Sequence, residues 1–551
     1  MYLNLSLIIF LMSLIIFFMF FLNSLLLIEF SIMELNSISY EFILHLDWMA
    51  VYFSAIVMLI SSMVMLYSKF YMGKDPYQKF IPLVVLFILS MCLMILSPNM
   101  LGIMLGWDGL GLISFLLVIY YTNTKSMISG AITILSNRLG DAAIIVSLIL
   151  LMNSGNLNFN FIHLMLNYKM FFMLLLLAGI TKSAQIPFSV WLPAAMAAPT
   201  PISALVHSST LVTAGVYLFI RYSPMMSVYL SSMIIIISCS TMFLASISAF
   251  YEMDFKKIIA LSTLSQLSLM ISILFLGNQI LSFFHLLSHA FFKSLLFLAA
   301  GIVIHSTMSQ DLRSMGNLMT SLPLTSMIIV ICILSLSGFP FLCGFYSKDL
   351  IIEFFLFKGI NLFILTLLLI STLFTSLYSL RMLISCVSTE KKKNYTPHEA
   401  NLLLIPLGVL SLLVIFGGWA MSWILFNFSS NEMLMITNTE KMIVGMILLI
   451  GVTFYYSRSL KFSSMLISWL INNFNNMWNL KPVSMIYTPF KNLTFSWKLM
   501  KKSEMGWKEY LGPLNLKMIL SQFNKKNELW TQQTFKTYLI LFLGIFFMLL
   551  I

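Results

Sequence analysis

The sequence predicts an all-α polytopic membrane protein: about fifteen transmembrane helices in two inverted-repeat halves, two broken helices, and a long amphipathic lateral helix before a final anchor helix. Three observations predict it. Of 551 residues, 60% are hydrophobic and 9% charged, with a mean hydropathy of +0.97. Soluble domains hold roughly 45–50% apolar and ~25% charged residues, so a water-soluble globule is excluded. Apolar runs near the ~20 residues that cross a bilayer recur along the chain. They start near positions 5, 47, 80, 99, 130, 170, 202, 227, 257, 281, 322, 362, 402, 441 and 535. Two runs, one in each half, are interrupted by Gly or Pro beside a lysine, the pattern of inverted-repeat transporters with ion sites at discontinuous helices.

In chain order, Met1 to Ile28 has no basic n-region, cleavage site or Arg- and Ser-rich transit character, and it reads as a spanning helix. The connection from Glu29 to Asp47 is acidic, whereas the next carries Lys69, Lys74 and Lys79, and positive charge marks the inside face. Alternation from there places Lys125, Lys256, Lys257, Arg313, Arg381 and the run Lys391, Lys392, Lys393 inside, Arg221 and Lys358 outside, and the N-terminus inside. The spans fall into an N-terminal group (1–98), a first half (99–222), a second half (223–387) and additional helices (388–457).

Residues 458–536 differ in kind. They hold twelve Lys/Arg against three acids, so nine of the chain's twelve net positive charges sit there, and no stretch is long enough to span. Leu466, Trp469, Leu470 and Met477 follow helical spacing. A basic amphipathic helix along the inner membrane face or along partner subunits is expected, interrupted at Pro482, Pro489 and Pro513. At ~1.5 Å per residue it reaches at most roughly 120 Å. Residues 537–551 read as the C-terminal anchor.

Elsewhere the basic residues are too sparse for a nucleic-acid surface. Cys92, Cys239, Cys332, Cys343 and Cys386 lie far apart with no C-x-x-C pair, so no local iron–sulfur or zinc site and no redox centre is expected. The weight of Met (42) and Phe (48) fits AT-rich coding, as in an organelle genome.

Ionisable residues inside spans cost roughly 2.5–3.5 kcal/mol on insertion scales and mark ion pathways. Asp108 lies mid-helix in Leu-Gly-Trp-Asp-Gly-Leu-Gly-Leu. Arg138 and Asp141 share the next span at i, i+3 and can pair with each other. Lys182 precedes Pro187, which should break its helix, and His207 follows. In the second half His285, His289 and Lys293 recur at i, i+4, i+8 and stack on one helix face, with His305 ending that helix. Lys348, with Asp349 beside it, follows the interrupted segment Leu-Ser-Gly-Phe-Pro-Phe-Leu-Cys-Gly-Phe-Tyr-Ser. A lone histidine here would read as a packing residue; the row of three with two broken-helix lysines reads as transport. Gly106, Gly109 and Gly111 lack the spacing of a dinucleotide loop and suit close helix packing.

The stretches Gly-Trp-Asp-Gly-Leu-Gly-Leu-Ile-Ser-Phe (106–115), Thr-Lys-Ser-Ala-Gln (181–185), Trp-Leu-Pro-Ala-Ala-Met (191–196), Pro-Thr-Pro-Ile-Ser-Ala-Leu-Val-His-Ser-Ser-Thr (199–210), His-Ala-Phe-Phe-Lys (289–293) and Gly-Phe-Tyr-Ser-Lys-Asp (344–349) resemble the antiporter-like membrane subunits of respiratory complex I over nearly the whole chain. The basic lateral segment and final anchor are similar to those of the chain 5 branch. The resemblance implies proton translocation by Asp108, Lys182, His207, His285, His289, Lys293 and Lys348, with Arg138, Asp141, His305 and Asp349 as possible support. It implies a mitochondrial inner-membrane subunit with no cofactor of its own, FMN, iron–sulfur clusters and quinone belonging to other subunits. Its partners would be membrane-arm and accessory subunits, above all the neighbouring antiporter-like one, together with lipids.

Two departures stand out. The family's intramembrane acid is usually Glu; Asp108 is one methylene shorter, so its reach towards Lys182 calls for a bridging water. Many members have sixteen helices, and the first would be the one missing. A multi-chain sodium/proton antiporter shares the transmembrane motifs, but its large subunit is longer and its shorter one lacks the lateral helix. A purely structural subunit would carry apolar residues at 182, 293 and 348.

Overall fold

The protein is described from a computed structural model over residues 2–19, 26–35, 38–153, 168–226, 228–359, 361–387, 401–428, 438–457, 473–474, 477–478, 480 and 488–550. It divides into two compact units, Met1–Leu480 and Lys481–Ile551. The first unit opens with α1 (Tyr2–Met19), a hairpin of β1 (Leu26–Leu35) and β2 (Ile38–Leu46), then α2 (Trp48–Tyr71), α3 (Lys74–Leu96), α4 (Met100–Val118) and α5 (Thr124–Asn153). It continues through α6 (Tyr168–Lys182), α7 (Thr200–Tyr222), α8 (Val228–Tyr251), α9 (Phe255–Phe275) and α10 (Gln279–Thr307). It closes with α11 (Pro323–Ser337), α12 (Cys343–Phe357), α13 (Leu362–Val387), α14 (Asn401–Phe428) and α15 (Asn438–Ser457). Among the described residues, eleven helices are long and apolar enough to cross a membrane. Helices suit that environment because they satisfy their own backbone polar groups.

Every expected start falls in or at the edge of an observed helix. The first span is shorter than expected, because Leu26–Ile28 belong to β1 rather than to a helix. In β2, Tyr40, Phe42, Leu44 and Leu46 alternate with Ser39, Glu41, Ile43 and His45, polar except at Ile43, a period-two pattern that favours a strand. The hairpin is antiparallel, with Phe30 opposite Phe42. Asn99, the N-cap of α4, donates to the Glu41 carbonyl at 2.6 Å and so ties hairpin to helix.

Where the hairpin meets α2, Asp47 receives Arg221 Nη1 at 2.5 Å and also contacts His45. Burial opposes ionisation of Asp47, but the His45 hydrogen bond and the Arg221 guanidinium outweigh it and hold the carboxyl below its usual range. This pair pins the ends of α2 and α7 together.

The centre of the unit consists of α7, α9 and α10, each apolar span wholly buried, while α3, α4, α5 and α14 keep exposed faces. Glycine sets the spacing at one critical crossing. A Cβ on Gly215 of α7 would lie 2.8 Å from the Gly179 carbonyl of α6 and 3.1 Å from the Ser183 amide. Both expected helix breaks are present. After Lys182 the chain turns through Ala184 (φ 55) and a cis Ile186–Pro187 bond into a short helix, Trp191–Ala194. α11 ends at Gly338, whose left-handed φ of 92 is the conformation that stops helices, and α12 starts after Phe341.

The second unit is one near-continuous helical rod: α16 (Thr488–Lys502), two π-helical turns (Ser503–Lys508 and Tyr510–Leu514) and α17 (Asn515–Leu549). Pro489 stands in its first turn, where a missing amide costs little. Pro513 does not interrupt it as expected, because it lies inside a π turn, and such widening re-routes the hydrogen bond that proline cannot make. No break separates residues 536 and 537, so the anchor residues continue the rod. Met477, expected on the amphipathic helix, lies in a turn at φ 50; Leu466, Trp469, Leu470 and Pro482 lie outside the described residues.

Close packing at Gly215 is testable against Gly408, whose added Cβ would meet nothing within 4 Å. Gly215→Ala is expected to destabilise by about 1–3 kcal/mol through overpacking. Gly408→Ala should be neutral or stabilising by up to about 1 kcal/mol through helix propensity. Thermal melting in detergent reads both; equal midpoints would contradict the assigned crossing.

Candidate functional site

The sequence-predicted residues fall on six helices, α4, α5, α6, α7, α10 and α12. Asp108 on α4 and Arg138 and Asp141 on α5 form one cluster, in which Arg138 Nη1 donates to Asp108 Oδ1 at 2.8 Å and pairs with Asp141 Oδ2 at 3.3 Å. The expected pairing of Arg138 with Asp141 is therefore present, but Arg138 holds Asp108 as well. Asp108 is held by the Arg138 guanidinium in a charge-assisted hydrogen bond. Asp141 is buried, whereas the Asp108 and Arg138 side chains remain 39% and 46% exposed on this chain.

Lys182, the last residue of α6, is wholly buried. Its Nζ donates to the Trp107 carbonyl at 3.2 Å and stands 4.8 Å from the centre of the Trp107 indole. Asp108, Arg138 and Asp141 are the charged side chains around it.

His207 occupies a π-helical stretch, Ser203–Thr210, and is buried with its ring 6.2 Å from that of Trp191. π-Bulges of this kind recur at functional sites because they re-aim side chains. The row expected on one helix is on α10. His285 and His289 have ring centres 6.4 Å apart, close to the ~6 Å rise of four residues. His285 is held on both sides, Nδ1 at 2.8 Å from Ser347 Oγ and Nε2 at 3.1 Å from Gln266 Oε1. Lys293 Nζ donates to Ser262 Oγ at 2.5 Å. His305 does not join them; it lies at the exposed end of α10, about 18 Å beyond Lys293, with its ring 5.9 Å from Tyr71.

Lys348 on α12 completes the site. Its Nζ donates to Thr375 Oγ1 at 2.8 Å and lies 3.5 and 3.4 Å from the Leu336 and Ser337 carbonyls. Those carbonyls end α11, so the ammonium sits at the negative end of a broken helix. Asp349 flanks it and faces the bare Cα of Gly338.

Between these hydrogen-bonded stations lie buried polar atoms with no partner among the described residues: both ring nitrogens of His207 and of His289, Trp107 Nε1, Asp141 Oδ1 and Gln266 Nε2. Sequence reading missed Ser347, Gln266, Ser262, Thr375 and Trp107. The available signal was the run Ser262, Thr263, Ser265, Gln266, Ser268 along an otherwise apolar span.

Three family models match in order: "NADH-Ubiquinone oxidoreductase (complex I), chain 5 N-terminus" over 32–81, "NADH:quinone oxidoreductase/Mrp antiporter, TM" over 97–375, and "NADH dehydrogenase subunit 5 C-terminus" over 378–551. The chain is 42% identical over 536 residues to NADH-ubiquinone oxidoreductase chain 5 of Locusta migratoria, covering 94% of this chain and 93% of that one. It is 39% identical to the same chain of Lumbricus terrestris, covering 91% and 89%. Among solved structures, the fold is similar to a chain of the Mrp complex from a Dietzia species (TM-score 0.75, 22% identity), covering 92% of this chain but 57% of that one. It is also similar to a chain of an archaeal membrane-bound sulfane sulfur reductase (TM-score 0.67, 20% identity), covering 83% and 93%.

If Arg138 is the hub between two carboxylates, its loss leaves them facing each other. Arg138→Gln should lower the thermal midpoint more than Asp108→Asn. The double variant should recover part of that loss, with a coupling of about 0.5–3 kcal/mol. Strictly additive losses would contradict the three-residue cluster.

Proposed function

The chain belongs to the NADH-ubiquinone oxidoreductase chain 5 family, and from that premise we propose that the row Lys182, His207, Lys293, His289, His285 and Lys348 carries protons through it. The protein is a multi-pass, proton-translocating membrane subunit of respiratory complex I, part of an H+-translocating NADH:ubiquinone oxidoreductase of the mitochondrial inner membrane. Its partners are other complex I subunits. On this reading the gene is carried by the organelle, and FMN, iron–sulfur clusters and quinone serve the reaction from other subunits.

The observation that carries the proposal is the alternation of anchored and unpartnered groups. His285, Lys293 and Lys348 are fixed by Ser347, Gln266, Ser262 and Thr375, while His207 and His289 offer free nitrogens between them. An unpaired buried polar atom costs about 1–3 kcal/mol, so such atoms call for water or a moving proton. Fixed donors with exchangeable neighbours are what stepwise proton transfer needs. The row supplies amines and imidazoles rather than oxygen cages, and among the described residues no cluster of His, Cys, Asp or Glu could hold a metal ion. That chemistry favours protons over sodium, which seeks oxygen ligands.

Arg138 supplies the switch. Drawing its guanidinium from 2.8 Å to about 6 Å from Asp108 costs about 3 kcal/mol at an effective dielectric of ~20, before discounting for the half-exposed partners. Moving one charge against 100 mV takes ~2.3 kcal/mol, so one such switch suffices only undiscounted, and several must act in concert. As Arg138 leaves, Asp141 is freed to draw a proton towards Lys182.

The half-exposed Asp108–Arg138 pair also identifies a covered face. A charge pair on a membrane-spanning surface is stable against protein, not against lipid. The neighbouring antiporter-like subunit would cover it. The end bearing Lys69, Lys256, Arg313 and Arg381 faces inside on the same charge rule.

Lys348→Met keeps most of the side-chain volume and removes the charge. Complex I containing it is expected to assemble while NADH-driven proton uptake into vesicles falls by about 10²-fold or more, the loss typical of a missing proton donor. Full uptake by the assembled variant would contradict the role given to Lys348.

A further inference from the structure

Four residues lie off the row yet lead to it. His305 stands exposed at the end of α10, its ring 5.9 Å from that of Tyr71 at the end of α2. Tyr71 stacks on Tyr67 at 5.6 Å with an interplanar angle of 22°. Tyr67 is wholly buried, as is Thr200, the first residue of α7. Neither Tyr67 Oη nor Thr200 Oγ1 has a hydrogen-bond partner among the described residues. The two hydroxyls meet over Gly301 of α10, where a Cβ would lie 2.5 Å from Tyr67 Oη and 2.7 Å from Thr200 Oγ1. Any side chain at 301 would occupy the place where they meet.

We infer that Tyr71, Tyr67 and Thr200 form a hydroxyl relay that feeds protons from the exposed His305 end of α10 into the row at His207. The inference rests on the proton-carrying reading above. From Thr200 the chain enters the π-helical stretch, and His207 follows about 10 Å further along with both ring nitrogens unpartnered. α2 and α10 both pack against this part of α7, so the three helices enclose the relay. Each hydroxyl accepts a proton on its oxygen and releases its own to the next group. Only hydrogen moves, water serves where two groups are out of direct reach, and no oxidant or reductant is required.

A structural role does not account for the Tyr67 hydroxyl. Among the described residues it has no hydrogen-bond partner, so phenylalanine would fill the same space without burying an unpaired oxygen. The end of α2 beside Lys69, inside by the charge rule, is where protons would be taken up.

The test uses complex I assembled around variant chains and reconstituted into vesicles. For Tyr67→Phe, assembly and thermal stability should be unchanged or improved, while the initial rate of NADH-driven proton uptake falls about tenfold. This is less than the ~10²–10⁴-fold of an irreplaceable proton donor, because water bridges part of the gap. Thr200→Val should slow uptake likewise, and Thr200→Ser should regain the rate by restoring the hydroxyl; this pair decides the matter if Tyr67→Phe fails to assemble. Full uptake in Tyr67→Phe or Thr200→Val, beside a Lys348→Met control that does not pump, overturns the relay alone. Full uptake in the Lys348→Met control as well overturns the proton-carrying reading and the relay with it.

Discussion

A charge buried among apolar helices needs an oxygen to rest on, and helices that satisfy all their own hydrogen bonds have none to offer. The helix breaks resolve this. Lys348 rests on the carbonyls of Leu336 and Ser337 because α11 stops at Gly338 and leaves them free. Half-buried Arg381 uses the end of α8 in the same way, donating to the Ala249 carbonyl at 3.1 Å and to that of Glu252. Lys182 ends its own helix and reaches across to the Trp107 carbonyl. Were the break at Gly338 closed, Lys348 would lose its carbonyl acceptors, and the row would lose that fixed end.

The middle of the row follows a different rule. On α10, hydroxyl and amide side chains from neighbouring helices replace main-chain oxygens, with Ser347 and Gln266 holding His285 and Ser262 holding Lys293. Ser262 and Gln266 come from the wholly buried α9 and Ser347 is itself buried, so each such contact is made in a low dielectric, where it is strong and its absence is costly. Fixed and unfixed groups therefore alternate in an environment that tolerates neither a stray charge nor an unpaired dipole for long, a setting in which proton position and side-chain geometry are coupled.

Much of this was legible in the sequence. Apolar length marks the helices, and the i, i+4, i+8 spacing of His285, His289 and Lys293 placed them on one face, as the 6.4 Å ring separation requires. Gly338, Pro340 and Pro187 announced the breaks. What was hidden is tertiary or depends on unusual local geometry. Nothing in the chain near Arg138 says that its fork would take Asp108 from a neighbouring helix as well as its own Asp141. The π-helical turn at His207 has no composition of its own, and Pro513 reads as a helix breaker until the wider turn around it is seen. The hairpin was masked by its acidic residues, although its alternation was present. Ser347 stood in plain view beside Lys348, but a serine on an apolar helix usually bonds its own preceding turn, so its bond to His285 could not be told from the common case.

The central claim is that the unpartnered nitrogens of His207 and His289 belong to a hydrated row rather than to a dry core. The most direct measurement is a density map of the intact complex in a lipid nanodisc at a resolution that shows ordered water. Water within hydrogen-bond distance of those nitrogens, linking Lys182 through His207, Lys293, His289 and His285 towards Lys348, is the predicted result. A continuous apolar seal with no water on either histidine would contradict it.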